Sequence, residues 1–142
     1  SRISKLNYRI YALLSDGECN EGTIWESAML AASQKISNLT IIIDYNKWQA
    51  TGRSNEILAL EPLKEKWEAF GWHTEEIDGH NFEELSNVFR KARNELNKPT
   101  AIIAHTIKGK GVSFMEDDNN WHYRIPNNDE LKSAISELNS KK

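Results

Sequence analysis

Apolar positions along this chain switch between a strand-like and a helical period, and the switching predicts the fold. Tyr8-Arg9-Ile10-Tyr11-Ala12-Leu13-Leu14 and Leu39-Thr40-Ile41-Ile42-Ile43 are short runs rich in β-branched and aromatic residues, bounded by turn formers, as buried parallel strands are. Between them Trp25, Ala28, Met29, Ala32 and Ile36 recur at helical spacing, which predicts a helix beginning near Gly22-Thr23. Glu61-Pro62-Leu63 opens a second helix with proline in its first turn; Leu63, Trp67 and Phe70 form its apolar stripe and Gly71 ends it. A strand from Trp72 to Ile77 follows. Asn81 and Glu84 predict a capping box for a helix running to about Asn97, with Phe82, Leu85, Phe89, Ala92 and Leu96 inward. Pro99 introduces a buried strand from Thr100 to His105, and Asn127 or Asn128 caps a last helix in which Leu131, Ile135 and Leu138 repeat. Alternating strands and helices predict an α/β fold: a doubly wound, mostly parallel sheet with helices on both faces. One domain covers residues 1–142, and residues 139–142 read as a frayed tail.

The chemistry sits where the first two strands end. The first runs into Ser15-Asp16-Gly17-Glu18 and the second into Asp44-Tyr45-Asn46. A right-handed crossover sets the two strands parallel, with both carboxyl ends at the sheet edge where ligands of open α/β sheets bind. If they are neighbours, about 5 Å apart, Asp16 and Asn46 can share one hard cation. A carboxylate and a carboxamide make too small a set for an all-protein cage. They suit Mg²⁺, which fills its octahedron with water and phosphate oxygens, so the missing ligands would be those of a diphosphate. Gly17 lets backbone approach a phosphate closely, and the helix starting near Gly22 presents free N–H groups in the same region. Taken alone, a carboxylate after a strand is ordinarily only a polar turn residue.

Five blocks then stand in one order: Asp16-Gly17-Glu18, Glu21-Gly22-Thr23-Ile24-Trp25-Glu26, Asp44-Tyr45-Asn46-Lys47-Trp48-Gln49-Ala50-Thr51-Gly52, Ile77-Asp78-Gly79-His80, and Thr106-Ile107-Lys108-Gly109-Lys110-Gly111-Val112. Together they resemble the transketolase family, above all its split, amino-terminal-subunit form, and the first and third carry its thiamine diphosphate motif. The resemblance, from about Asn7 to about Pro126, implies the diphosphate-binding domain of a thiamine diphosphate-binding fold, truncated at its amino terminus. It implies thiamine diphosphate and Mg²⁺ as cofactors, with Asp16, Gly17, Glu18, Asn46 and His122 binding the cofactor. The metal ligands it implies are Asp16, Asn46 and the backbone carbonyl of Trp48.

The implied reaction is transfer of a two-carbon ketol unit between sugar phosphates, as in pentose phosphate metabolism. A partner subunit or domain that binds the pyrimidine ring would complete the enzyme in a hetero-oligomer or dimer and contribute the glutamate that activates the cofactor, so the isolated chain is expected to be inactive. Glu21 corresponds to a family carboxylate at the subunit interface, or is a first-turn glutamate favoured by the helix dipole. His122, in Trp121-His122, lies where the family has a histidine near the diphosphate and is the candidate catalytic residue, although Tyr123-Arg124 departs from the family pattern. Ser15 replaces the first glycine of the family's triplet. The segment over residues 108–111 reads as a mobile loop with lysines drawn to phosphate, or as a solvated connection. Two alternatives stay open: a catalytically silent cofactor-binding or assembly module, and a related thiamine enzyme such as deoxyxylulose phosphate synthase. The Lys47-Trp48-Gln49-Ala50-Thr51-Gly52 stretch favours transketolase.

Composition narrows the partners further. A net charge of −3 offers no face-wide cationic surface for nucleic acid. No apolar run has membrane-spanning length, and no signal peptide opens the sequence. A single cysteine, Cys19, permits no internal disulfide, in keeping with a cytoplasmic location. With no base near it in sequence, a nucleophilic role for Cys19 is not expected.

Overall fold

The computed structural model describes residues 1 and 3–140. Four parallel strands form the main sheet: β1 (Ile10–Ser15), β2 (Leu39–Tyr45), β5 (His73–Asp78) and β6 (Thr100–His105), in the order β1-β2-β6-β5. Five α-helices are interspersed, α1 (Gly22–Ser33), α2 (Ser54–Ile57), α3 (Leu63–Ala69), α4 (Phe82–Asn94) and α5 (Asn128–Ser140), with a small antiparallel hairpin of β3 (Trp48–Gln49) and β4 (Gly52–Arg53). The predicted α/β class is the observed one. The two strands that lead into Asp16 and Asn46 are direct neighbours, with Ser15 opposite Asp44.

Apolar residues on both faces of the sheet explain why helices cover both. On one face Ile41, Ile43, Ala101 and Ile103 pack with Leu63, Trp67 and Trp72, and Trp25 of α1 lies against Trp67 and Phe70 at ring-centroid distances of 5.1 and 5.3 Å. On the other, Ile77, Ile102 and Ala104 pack with Val88 of α4. The central strand β6 is buried over five of its six residues, as a strand covered on both faces must be.

Several predicted element limits and inward positions need correction. Helix α1 stops at Ser33, so Ile36 lies beyond it, and Met29 is half exposed. Pro62 caps α3 rather than standing within its first turn. Helix α4 ends at Asn94, short of Asn97; Phe82 and Leu96, read as inward, are 86% and 74% exposed, because they lie at the first turn and past the last. Its cap is as expected on one side only: Asn81 accepts from the N–H groups of Glu83 and Glu84, at 3.0 and 3.3 Å, while the Glu84 carboxylate accepts from the Asn81 amide and the Asp78 N–H. In α5, Leu131, Ile135 and Leu138 are each about half exposed and Ala134 is the buried residue. Ser140 is still helical; the rest of the predicted frayed tail, residues 141 and 142, lies outside the described residues.

Edge strand β1 and helix α1 leave apolar surface open. Leu13 is 72% exposed, Tyr11 about half, and Met29 and Leu30 face outward from α1. Among the described residues no helix is long and apolar enough to cross a membrane.

Candidate functional site

At the carboxyl edge of the sheet, three chain segments meet: the turn after β1, the turn between β2 and the hairpin, and the loop after β6. The first turn is a one-turn 3-10 helix, Gly17–Asn20, started by Asp16, whose side chain accepts from the Gly17 N–H. Ser15 is the last residue of β1 and its backbone stays extended, so a side chain is accommodated where the family has glycine. Its N–H and hydroxyl both donate to the Glu18 carboxylate, at 2.7 and 3.1 Å, which folds Glu18 back over the strand end.

Asp16 is fully buried at this edge. One carboxylate oxygen accepts from the Gly17 N–H at 2.9 Å and the other from the Ser54 hydroxyl at 2.7 Å; the Lys47 N–H also reaches the group. Burial pushes its carboxyl above the ordinary value of 3.8, the hydrogen bonds oppose that shift without cancelling it, and Asp44 adds to it. Among the described residues no lysine or arginine pairs with Asp16. Desolvation of an unpaired carboxylate is costly, and a bound cation is the usual compensation.

The second turn brings Asn46 to the same place. Lys47 adopts a left-handed φ of 67°, and the Asn46 side-chain oxygen accepts from the Trp48 N–H at 2.9 Å. That oxygen has a second lone pair free, as does the Asp16 carboxylate after three donors. A buried anionic oxygen and a carboxamide oxygen, borne on two hydrogen-bonded strands, make a donor set fitted to a hard cation that keeps other ligands. Among the described residues no group of three or more His, Cys, Asp or Glu side chains could hold a metal by itself. Any metal here must draw on the carboxamide, backbone, water or a bound anion.

Beside these turns lies a cleft of about 370 Å³, lined among others by Gly17, Glu18, Asn46, Trp48, Lys108 and His122. Glu21, the N-cap of α1, also faces it, and its side chain makes no capping bond. The predicted site residues are therefore gathered in one region, with Asp16 buried beside the cleft and the others on its walls. His122 reaches it from the end of a second one-turn 3-10 helix, Asn119–His122. A larger cleft of about 630 Å³ adjoins on the side of β6, sharing Asn46 and Lys108 and including Asp44, His80 and Thr106. There Thr106 donates to Asp44, and the His80 ring accepts from the Ile107 N–H at 2.8 Å, so His80 braces the turn after β6. Cys19 is buried and its thiol is pushed up to about 12 by desolvation and by Asp16 and Glu18, so it is protonated and unreactive at neutral pH.

Ser54 was not predicted to take part. It lies 38 residues from Asp16, in a helix of a single turn, and its only sequence signal is that it closely follows the block over residues 47–52. Gln49, on the cleft wall, lies within that block.

Known proteins match this chain over nearly its full length. The family model described as "Transketolase, thiamine diphosphate binding domain" matches residues 3–141. An apulose-4-phosphate transketolase subunit from Phocaeicola vulgatus is 38% identical over 141 residues, which is 99% of this chain and 50% of the relative. A 6-deoxy-6-sulfo-D-fructose transketolase subunit from a Clostridium species is 44% identical over 129 residues, 91% of this chain and 47% of the relative. This chain thus spans about half the length of these curated relatives. The structure of Pichia stipitis transketolase complexed with sedoheptulose 7-phosphate superposes with a TM-score of 0.87 at 24% identity, covering 94% of this chain and 20% of that one; that likeness concerns the fold.

Proposed function

We propose a function from one premise: the chain belongs to the transketolase family, as its thiamine diphosphate-binding domain. It holds the diphosphate end of thiamine diphosphate through Mg²⁺, as one part of an enzyme that transfers a two-carbon ketol unit between sugar phosphates. The observation that carries this is the buried, cation-poor Asp16 carboxylate beside Asn46 at the edge of the cleft. Asp16 and Asn46 would hold the metal, with Trp48 offering its backbone carbonyl. Gly17 would let the chain approach the phosphates, and Lys108 would offset their charge. When bound, thiamine diphosphate supplies the nucleophilic carbon for ketol transfer.

The chain's own contribution is anchoring. His122, which lines the cleft, would donate a hydrogen bond to a phosphate oxygen or to a substrate hydroxyl. Glu18 is occupied by Ser15, so it would help shape the turn more than meet the diphosphate, whose charge it repels. Glu21 is free of a capping role and would face a partner. A pyrimidine-binding partner would supply the acid–base group for the reacting end of the cofactor, because both Glu18 and Glu21 flank the diphosphate end and proton transfer needs hydrogen-bond reach. The larger cleft adjoining Asn46 and Lys108 gives a ligand longer than a diphosphate room to extend.

Calorimetric titration of thiamine diphosphate into the protein carrying this chain, in Mg²⁺ and then in EDTA, tests the reading. Saturable binding that disappears in EDTA supports it, and binding indifferent to EDTA removes the metal from it.

A further inference from the structure

The loop after β6 is tied to the β3–β4 hairpin chiefly by Asp117, with Asn119 beside it. Asp117 takes a left-handed φ of 58°, and its N–H donates to the Lys108 carbonyl at 2.9 Å, closing the neck of the loop. Its carboxylate receives both arms of Arg53, at 2.7 and 2.6 Å, and the Trp48 indole N–H at 2.8 Å. The Arg53 guanidinium also lies 3.8 Å over the Trp48 ring. Two residues on, the Asn119 amide donates to the Gln49 and Ala50 carbonyls at 2.9 and 3.2 Å, at the start of the one-turn helix that ends in His122. Within the loop, Gly109 is pressed so closely that a Cβ there would come within 2.4 Å of the Met115 carbonyl oxygen. The segment is closed on itself and fastened to the hairpin.

We infer that Asp117 is a positioning residue of the cofactor cleft: by gripping Arg53 and Trp48 while holding the Lys108 carbonyl, it fixes Lys108 and His122 relative to Asn46 and Trp48. Each bond is partly exposed and weak alone. Geometry makes them more than surface decoration, since a bidentate arginine fork, an indole and a backbone carbonyl converge on one residue. Trp48 and Lys108, the groups so joined, both line the cleft, whereas Asp117 itself does not. Loss of the carboxylate should loosen the loop against the hairpin, leaving the Asn119 bonds to hold it, and spread Lys108 and His122 over more positions, so that a bound anion must pay to order them.

The inference rests on the diphosphate-binding reading for its ligand, but the clamp can be measured without one. Asp117→Ala, Arg53→Ala, the double variant and Asp117→Asn are prepared in the protein carrying this chain and checked by far-UV circular dichroism. Amide hydrogen exchange across residues 107–122 is followed without ligand, and thiamine diphosphate affinity is measured in Mg²⁺. Either alanine variant should exchange at least about tenfold faster in that segment and bind about three- to tenfold more weakly. The double variant should be no worse than the worse single one, because the two residues act as a unit, and Asp117→Asn should recover part of the loss. Should Asp117→Ala fail to fold, Arg53→Lys, which keeps the charge and loses the fork, takes its place with a smaller effect in the same direction. Unchanged exchange or affinity, or additive losses in the double variant, overturns the clamp. If the unaltered protein binds no thiamine diphosphate, the proposed function falls and the exchange data alone decide the clamp.

Discussion

Replacing Asp16 with alanine removes the only carboxylate among the proposed metal ligands and leaves the Gly17 and Lys47 N–H groups and the Ser54 hydroxyl facing a void. In the ligand-free protein the losses oppose each other. Three hydrogen bonds to a charged acceptor disappear, but so does a carboxylate whose burial is uncompensated. The melting temperature is thus a poor guide, and affinity is the quantity to follow. In the complex the effects run one way. Two opposite unit charges about 4 Å apart attract by about 4 kcal/mol at an effective dielectric near 20, a floor for a divalent ion, and water entering the space of the lost side chain recovers a large part of the attraction. A residual loss of about 2–3 kcal/mol follows, which at 1.4 kcal/mol per tenfold is about 30- to 150-fold weaker binding. Titration calorimetry of the assembled enzyme with thiamine diphosphate, with and without EDTA, measures it. Equal affinity for the unaltered protein and Asp16→Ala would show that the buried carboxylate holds no metal.

Asn46→Ala should weaken thiamine diphosphate binding less than Asp16→Ala, since it removes a neutral ligand, while Asn46→Asp should keep binding and alter metal preference; unchanged affinity and metal dependence in Asn46→Ala would refute its role. Burial raises the Asp16 carboxyl above its unfolded value of 3.8, so the folded chain holds that proton to higher pH than the unfolded one. The resulting destabilisation is full above the folded value and fades as pH falls towards the unfolded one. Without ligand, the unaltered protein should therefore gain stability relative to Asp16→Asn as pH falls through the raised folded value towards 3.8, as read from urea midpoints, and a constant difference contradicts the shift. Purified alone, the chain should show no ketol transfer from ketose to aldose phosphates in a coupled assay and should gain it with a pyrimidine-binding partner. Turnover by a mass-verified isolated chain, abolished by Asp16→Ala, would reveal an acid–base group within the chain itself.

Strands β2 and β6 were legible because a strand buried on both faces has to be apolar almost throughout, and such runs survive in the sequence as blocks; β1 carries the same apolar run, yet it lies at the sheet edge with most of its residues exposed. The helical spacing between β1 and β2 made them parallel through one crossover; that they are neighbours was only a condition of the reading, and the register of β1 against β2 meets it. Asp16 and Asn46 could be placed together because each closely follows a strand. The hairpin over residues 48–53 was not foreseen: strands of two residues carry no periodicity, and the turn that starts it depends on the left-handed Lys47, a conformation lysine does not advertise. Helix ends were misjudged at Phe82 and Leu96 because period alone cannot tell an inward position from the turn beyond the last packed one. Ser54 and Asp117 escaped for a related reason. Each acts through side-chain bonds to residues 38 and 64 or more positions away, and no local pattern encodes such distances.

The neighbouring register of β1 and β2 has a consequence for the life of the chain outside the folded state. Asp16 and Asn46 face one site only after two strands separated by residues 16–38 have come together, Ile10 with Leu39 through Ser15 with Asp44, so the unfolded chain has nothing to offer a cofactor. Thiamine diphosphate and Mg²⁺ would then bind the folded chain alone, and a ligand of that kind adds RT ln(1 + [L]/Kd) to its stability, about 2.7 kcal/mol at a hundredfold excess over Kd. Domains of this size are held by margins of only about 5–15 kcal/mol, so that increment is a large share of the whole. The amount of folded protein would rise and fall with the supply of cofactor and metal, and the sheet that builds the site would serve as its own gauge of whether the site can be filled.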